Sequence, residues 1–292
     1  MRGVININKP AGLSSYDVIR RLKPRLKPNK IGHAGTLDPI ATGVLLILLE
    51  EATKISQVLI SLPKEYKAEM TLGIATDTDD ITGNTIATAP VPDISADAFR
   101  NLLRERFTGT ILQTPPRFSA LKKEGTPLYR FARQGMEITP PARRVSVYEL
   151  ELVEWQPPKA RLRMVVSSGT YVRALCRDIG QALGSCATLS ALTRLRIGRF
   201  TIAESVTPER LLNPDTDWQR LVVPIERALE FLPWMLISDT EVNALLQGKI
   251  VPHPGGDLPP GTAIAHNQNN TFLALVRTDH QQLKPERVIY AD

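Results

Sequence analysis

Apolar and polar positions recur at recognisable periods over most of the first 200 residues. Val4-Ile5-Asn6-Ile7 reads as a strand, stopped by Lys9-Pro10 and the Ala11-Gly12 turn. Ser14-Ser15-Tyr16-Asp17 has the form of a capping box, in which the Asp17 carboxylate reaches back to the cap amide. Val18, Ile19 and Leu22 then make a helical stripe that Pro24 is expected to end. Segment 31–43 is rich in Gly, Ala and Thr without a period and reads as a loop, and Val44 to Leu49 follows as a buried strand. A short helix is expected over Thr53–Ser61. Tyr66, Ala68, Met70 and Leu72 alternate with Lys67, Glu69, Thr71 and Gly73, the pattern of a half-buried strand.

Ser95 is placed to cap a helix carrying Phe99, Leu102, Leu103 and Phe107, with Gly109 past its end. Residues 110–144 show little periodicity and many basic groups. Strands are expected at Val145–Val153 and Arg161–Ser167, then a helix marked by Val172, Leu175, Ile179 and Leu183 and closed by Gly184, then a strand near Leu192–Ile202. Four prolines between 205 and 235 suggest a boundary near 230. The chain therefore divides into a domain over 1–230, with an insertion at about 110–144, and a small β-rich domain over 231–292 with strands at Thr262–Ala265 and Phe272–Val276. Strands and helices without regular βαβ alternation indicate the α+β class.

Composition narrows the function classes. The 292 residues are 42% hydrophobic and 23% charged, as in an ordinary globular protein. The longest apolar run, Val44 to Leu49, is far too short to span a membrane. With no signal-peptide pattern at the start, a cytoplasmic location is expected. Cys176 and Cys186 form neither a Cys-x-x-Cys pair nor a cluster with histidine, so no metal site and no disulfide framework is expected. The net charge of +6 is uneven: residues 231–292 carry a net of −2, which leaves +8 on the first 230. Such an excess suits a polyanionic partner. Asp77-Thr78-Asp79-Asp80 lacks the glycine and spaced ligands of a calcium loop, and neither a phosphate-binding loop nor a nucleophile elbow occurs.

The segment richest in chemistry is Gly32-His33-Ala34-Gly35-Thr36-Leu37-Asp38-Pro39-Ile40-Ala41-Thr42-Gly43, a tight glycine-bearing loop that presents one histidine and one carboxylate. It matches throughout the pattern Gly-His-x-Gly-Thr-Leu-Asp-Pro-x-Ala-x-Gly, and so resembles the TruB family of tRNA pseudouridine-55 synthases. Three further segments agree with that resemblance: Val4 to Ser15 with its Lys9-Pro10 pair, Lys64-Glu65-Tyr66-Lys67, and Gly169-Thr170-Tyr171-Val172-Arg173.

The resemblance covers roughly residues 1–200. It implies a pseudouridine synthase fold with a mixed, mainly antiparallel central sheet flanked by helices, followed by a PUA-like RNA-binding domain. It implies isomerisation of uridine 55 in the T-loop of tRNA by base flipping, with no cofactor and no metal. Asp38 would be the catalytic carboxylate, Arg173 its partner, Tyr66 the aromatic face for uracil, and Tyr171 a hydrogen-bond partner or proton acceptor. A base stacked on an aromatic ring is worth about 1–3 kcal/mol. Leu192 would pack on the base, and His33 would fill the space the flipped base leaves. The resemblance implies that the Lys9-Pro10 pair packs under the active-site loop, and Lys9 and Lys64 are also expected among the substrate-binding residues. Arg20, Lys122, Lys123, Arg130 and Arg143 are candidates for the phosphate backbone of the T-arm. A monomer without an obligate protein partner is expected. The rival readings are a guide-RNA-dependent pseudouridine synthase, which shares these motifs, and a tRNA-binding or folding protein without catalysis.

Overall fold

A computed structural model describes residues 2–118, 140–252, 260–279 and 281–289, together with the backbone of 122–123 and 126–127. Among the described residues, nine strands form the central sheet. In chain order they are β1 (Gly3–Lys9), β2 (Ile31–Ala34), β3 (Thr42–Leu49), β4 (Lys64–Leu72), β5 (Gly109–Gln113), β6 (Arg143–Gln156), β7 (Lys159–Val166), β8 (Ala187–Ile197) and β9 (Phe200–Thr201). Their spatial order is β1-β3-β8-β4-β7-β6-β5, with β2 on β3 and β9 on β8. All pairings are antiparallel except β3 with β8, where Thr42 faces Thr193 and Gly43 faces Arg194. The sheet is mixed and mainly antiparallel, in an α+β fold.

Helices α1 (Ser15–Leu26), α2 (Ser56–Ser61), α3 (Ala96–Arg106) and α4 (Val172–Ala182) surround this sheet. One large core contains Leu22 of α1, Leu45 and Ile47 of β3, Met70 of β4, Phe99 of α3 and Leu175 of α4. A second core lies on the other side of β3, where Val44, Leu46 and Leu48 meet Ile55 and Leu59. The unbroken Val44–Leu49 run is therefore apolar on both faces because both faces are covered.

Helix α1 begins as the capping box requires: the Ser14 hydroxyl accepts from Asp17 N–H, and the Asp17 carboxylate accepts from Ser14 N–H. It does not end at Pro24. The helix continues to Leu26 and closes at Lys27, which turns left-handed (φ 46°) and donates to the Lys23 carbonyl. A proline this close to the end removes one helical hydrogen bond, and burial of Leu26 in the large core carries the helix past it. Segment 31–43 is likewise not all loop, since Ile31–Ala34 pairs with β3, and the loop is confined to 35–41. Gly109–Gln113, within the stretch that lacks periodicity, is an edge strand paired to Arg143–Val147 of β6. Its alternation is hidden because four of its five residues remain on the surface or near it.

Beyond the short helices α5 (Pro208–Leu212) and α6 (Ile225–Ala228) lies a five-stranded sheet: β10 (Trp234–Leu236), β11 (Val251–Pro252), β12 (Gly261–His266), β13 (Phe272–Thr278) and β14 (Gln282–Val288). Its order is β10-β12-β13-β14-β11, and helix α7 (Asp239–Leu246) packs on β13 and β14. Ile264, Phe272, Leu275 and Ile289 join the second core against Ile55 and Leu59. Lys54 donates to the Val288 carbonyl at 2.9 Å across the same junction. No helix among the described residues is long and apolar enough to cross a membrane.

Candidate active site

Loop 35–41 connects β2 to β3, and each of five successive carbonyls in it has a partner. Arg194 of β8 donates to Gly35 O at 2.8 Å and to Thr36 O at 3.3 Å. The Ser15 hydroxyl, at the head of α1, donates to Leu37 O and accepts from Leu37 N–H. Asp38 O accepts from Ala41 N–H at 3.0 Å, and Pro39 O accepts from Gly12 N–H at 2.8 Å. Lys9 Nζ adds a longer bond to Pro39 O at 3.4 Å. The loop is thus pinned from β1, α1 and β8 at once, which fixes the Asp38 side chain before any ligand arrives. Gly43 permits the β3–β8 junction: its φ is +98°, and a Cβ there would lie 2.2 Å from the Arg194 carbonyl oxygen.

Asp38 remains 35% exposed at its side chain, while Arg173 beside it is only 6% exposed. Arg173 Nε lies 2.9 Å from Asp38 Oδ2 in an ion-pair contact without hydrogen-bond alignment. Its Nη2 donates to Asp38 Oδ1 at 3.3 Å. The remaining donors are used on the opposite side, Nη1 on Thr78 O at 2.8 Å and Nη2 on Phe118 O at 3.0 Å. Asp80, buried, places Oδ2 3.6 Å from Nη1, and its Oδ1 accepts from Thr78 and Thr82. The guanidinium therefore sits between two carboxylates, one reachable from solvent and one not.

Tyr66 on β4 and Leu192 on β8 are both buried. In the antiparallel register Tyr66 faces Arg194 and Ala68 faces Leu192, so the tyrosine and the leucine share one face of the sheet. Both belong to the core cluster that contains Leu37 and Ala41 of the pinned loop. Tyr171 stands at the head of α4, with the Arg143 guanidinium 5.0 Å from its ring centroid. His33 on β2 is half-buried, its Nδ1 has no hydrogen-bond partner among the described residues, and burial pushes its pKa down.

Lys9 and Lys64, both expected among the substrate-binding residues, are turned to backbone carbonyls. Lys9 is fully buried and its Nζ donates to Pro10 O, Leu13 O and Pro39 O, so it supports the loop from beneath. Lys64 is also buried and donates to Leu62 O and Ile60 O. Burial pulls both ammonium groups down to a pKa of about 8. Each motif lysine satisfies carbonyls at a strand end, which leaves it no free face for RNA. Arg20 is exposed and ion-paired to Asp17 at 2.9 Å. It lines a cleft of about 930 Å³ with Tyr16, Lys23, Lys27 and His33. The side chains of Lys122 and Lys123, and all of Arg130, lie outside the described residues.

Sequence reasoning passed over Arg194, Ser15, Asp80 and Gln113. Arg194 carried a signal: it lies two residues from Leu192 and therefore on the same inward face of its strand, a place where a charge needs a buried partner. Ser15 sits inside the first matching motif, and Asp80 in the acidic run weighed against calcium. Nothing in the aperiodic stretch singles out Gln113.

Two family models match the chain. The family model for the TruB family pseudouridylate synthase (N terminal domain) matches residues 23–172. That for the tRNA pseudouridylate synthase B C-terminal domain matches residues 173–230. A tRNA pseudouridine synthase B of Neisseria meningitidis is 40% identical over 277 residues, 94% of this chain and 90% of that protein. One from Heliobacterium modesticaldum is 36% identical over 99% of this chain and 96% of its own length. Among solved structures, the archaeal box H/ACA sRNP Nop10-Cbf5 complex matches with a TM-score of 0.74 at 28% identity, over 99% of this chain and 86% of that one.

Proposed function

Because the chain belongs to the TruB family of pseudouridylate synthases, we propose that it isomerises uridine 55 in the T-loop of tRNA, with Asp38 as the catalytic carboxylate. The observation that carries this reading is the one exposed carboxylate on a loop pinned at five carbonyls, gripped by a buried arginine. Pseudouridine formation breaks the bond from C1′ to N1 of uracil and joins C1′ to C5. The proton lost from C5 is balanced by one gained at N1. Atoms and electrons balance within the substrate, so a carboxylate and a proton path suffice.

The target base leaves its stack to reach Asp38, at a cost of a few kcal/mol. Tyr66 offers it an aromatic face, and Leu192, on the same side of the sheet, an apolar wall. Tyr66 also serves the C5 proton late in the reaction, and Tyr171, at the head of the helix that carries Arg173, is the hydrogen-bond partner or proton acceptor. Arg173 holds the carboxylate in one orientation from the side away from solvent. His33 borders the basic cleft with Arg20, Lys23 and Lys27, which suits it to the gap beside the flipped base while those cations meet phosphates.

The five-stranded sheet over 234–288 serves as a PUA-like RNA-binding domain, and the chain acts as a monomer in the cytoplasm. Greater identity to relatives named for tRNA than to box H/ACA proteins supports a stand-alone enzyme. The close fold match over 99% of the chain keeps a guide-dependent reading as the specific rival.

Primer extension through carbodiimide-treated tRNA transcript tests both. A stop at uridine 55 with wild-type protein alone, absent with Asp38→Asn, is the expected result. A stop that appears only after a guide RNA is added would favour the rival. No stop despite measurable tRNA binding would leave a binding protein.

A further inference from the structure

Gln113 ends β5, Arg143 opens β6, and the two are paired across the strands. Both side chains leave the sheet edge and reach the segment just before α4. Gln113 is fully buried, and its amide binds the backbone of Tyr171 twice. Oε1 accepts from Tyr171 N–H at 2.8 Å, and Nε2 donates to Tyr171 O at 3.1 Å. Arg143 lies over the ring of the same tyrosine and donates from Nη2 to Gly169 O at 2.6 Å.

Tyr171 is the cap residue of α4 and makes no side-chain cap bond, and Gln113 fixes the N–H and C=O of that cap residue from outside the helix. Arg173 follows two residues later, in the first turn. The chain just after Gln113 is tied to the same helix: Arg177 donates to Thr114 O at 2.8 Å, and Arg173 to Phe118 O at 3.0 Å.

We propose that Gln113 and Arg143 form a clamp that positions Tyr171 and, through the head of α4, the Arg173 guanidinium that holds Asp38. The clamp rests on the reading of Asp38 given above. It reassigns Arg143, whose charge alone suggested a phosphate contact. A guanidinium committed to a ring face and a carbonyl is used for its plane and fork, which lysine lacks.

Single-turnover tritium release from tRNA labelled at uridine C5, with filter binding on the same preparations, separates the two roles. Arg143→Lys keeps the charge and loses the stack. Gln113→Leu removes both amide bonds, and Gln113→Glu, which keeps the size, carries the test if the leucine variant melts early. The clamp predicts that each variant lowers the rate roughly 10- to 100-fold while Kd stays within about threefold. In a Tyr171→Ala background Arg143→Lys adds little, because the ring it stacks on is gone, whereas Gln113→Leu still lowers the rate, because the backbone that Gln113 holds is retained.

A phosphate contact predicts a wild-type rate for Arg143→Lys, with Arg143→Ala weakening binding and flattening its salt dependence. That outcome, with wild type active and Gln113→Leu near wild type, would overturn the clamp alone. No tritium release by wild type would overturn the reading of Asp38, and the clamp with it.

Discussion

At the scale of single residues, function turns on what each cation touches. Arg173 divides its donors between Asp38, Thr78 O and Phe118 O, a geometry only a planar fork supplies. Arg173→Lys is therefore expected to cost roughly 10²-fold in single-turnover rate while tRNA affinity holds. Lys9 shows the opposite use of charge. Its pKa is pulled to about 8 by burial, against the nearby Asp38 carboxylate that raises it. A lysine whose pKa falls on folding destabilises the fold fully below that value and is relieved as pH rises toward its unfolded value. Between about pH 8 and 10.5 the stability of wild type should thus rise relative to Lys9→Met, by at most about 3 kcal/mol. Urea titrations of both proteins across that window would show it, and a flat difference would contradict the burial account. The motifs point to Asp38 and Arg173 together, and the fold brings the two into contact. The first motif also implies that the Lys9-Pro10 pair lies under the loop, where Lys9 Nζ reaches Pro39 O, whereas motif membership alone does not show that Lys64 is turned to the carbonyls of Ile60 and Leu62.

Elements set these residues in place, and the parallel contact of β3 with β8 matters most. Arg194 crosses from β8 to bind Val44 O, Gly35 O and Thr36 O, all from the buried side. Arg194→Met would strand three carbonyls and should cost about 3 kcal/mol or more, with activity lost through the displaced loop. Gly43→Ala meets both a left-handed backbone and the Arg194 carbonyl, and should cost at least about 3 kcal/mol. Chemical denaturation of each variant measures these losses directly. Period and capping signals located most strands and helices of the first 200 residues, including the Ser14–Asp17 box. They failed where burial outweighs local signals, as at Pro24, and where pairing supplies what composition does not, as at Ile31–Ala34. In the tail, β12 and β13 were legible from their apolar runs. Helix α7 and strand β14 were not, since Leu283 is the one buried side chain of β14, among charged and proline residues.

The whole molecule is an electrostatic body with an uneven charge, +8 over the first 230 residues and −2 over the rest. The cleft that holds Tyr16, Arg20, Lys23, Lys27 and His33 concentrates positive charge at the strand that leads into loop 35–41. Replacing Arg20, Lys23 and Lys27 together by Ala should flatten the log–log salt dependence of tRNA binding by about 2 to 3 in slope. An unchanged slope would place the RNA backbone elsewhere. The central claim is that one pinned carboxylate carries the chemistry, separately from the grip on RNA. The measurement that tests it most directly pairs tRNA affinity with pseudouridine content after nuclease digestion, both on Asp38→Asn. The claim predicts a Kd within about threefold of wild type and no pseudouridine. Pseudouridine formed by Asp38→Asn at a rate near wild type would contradict it.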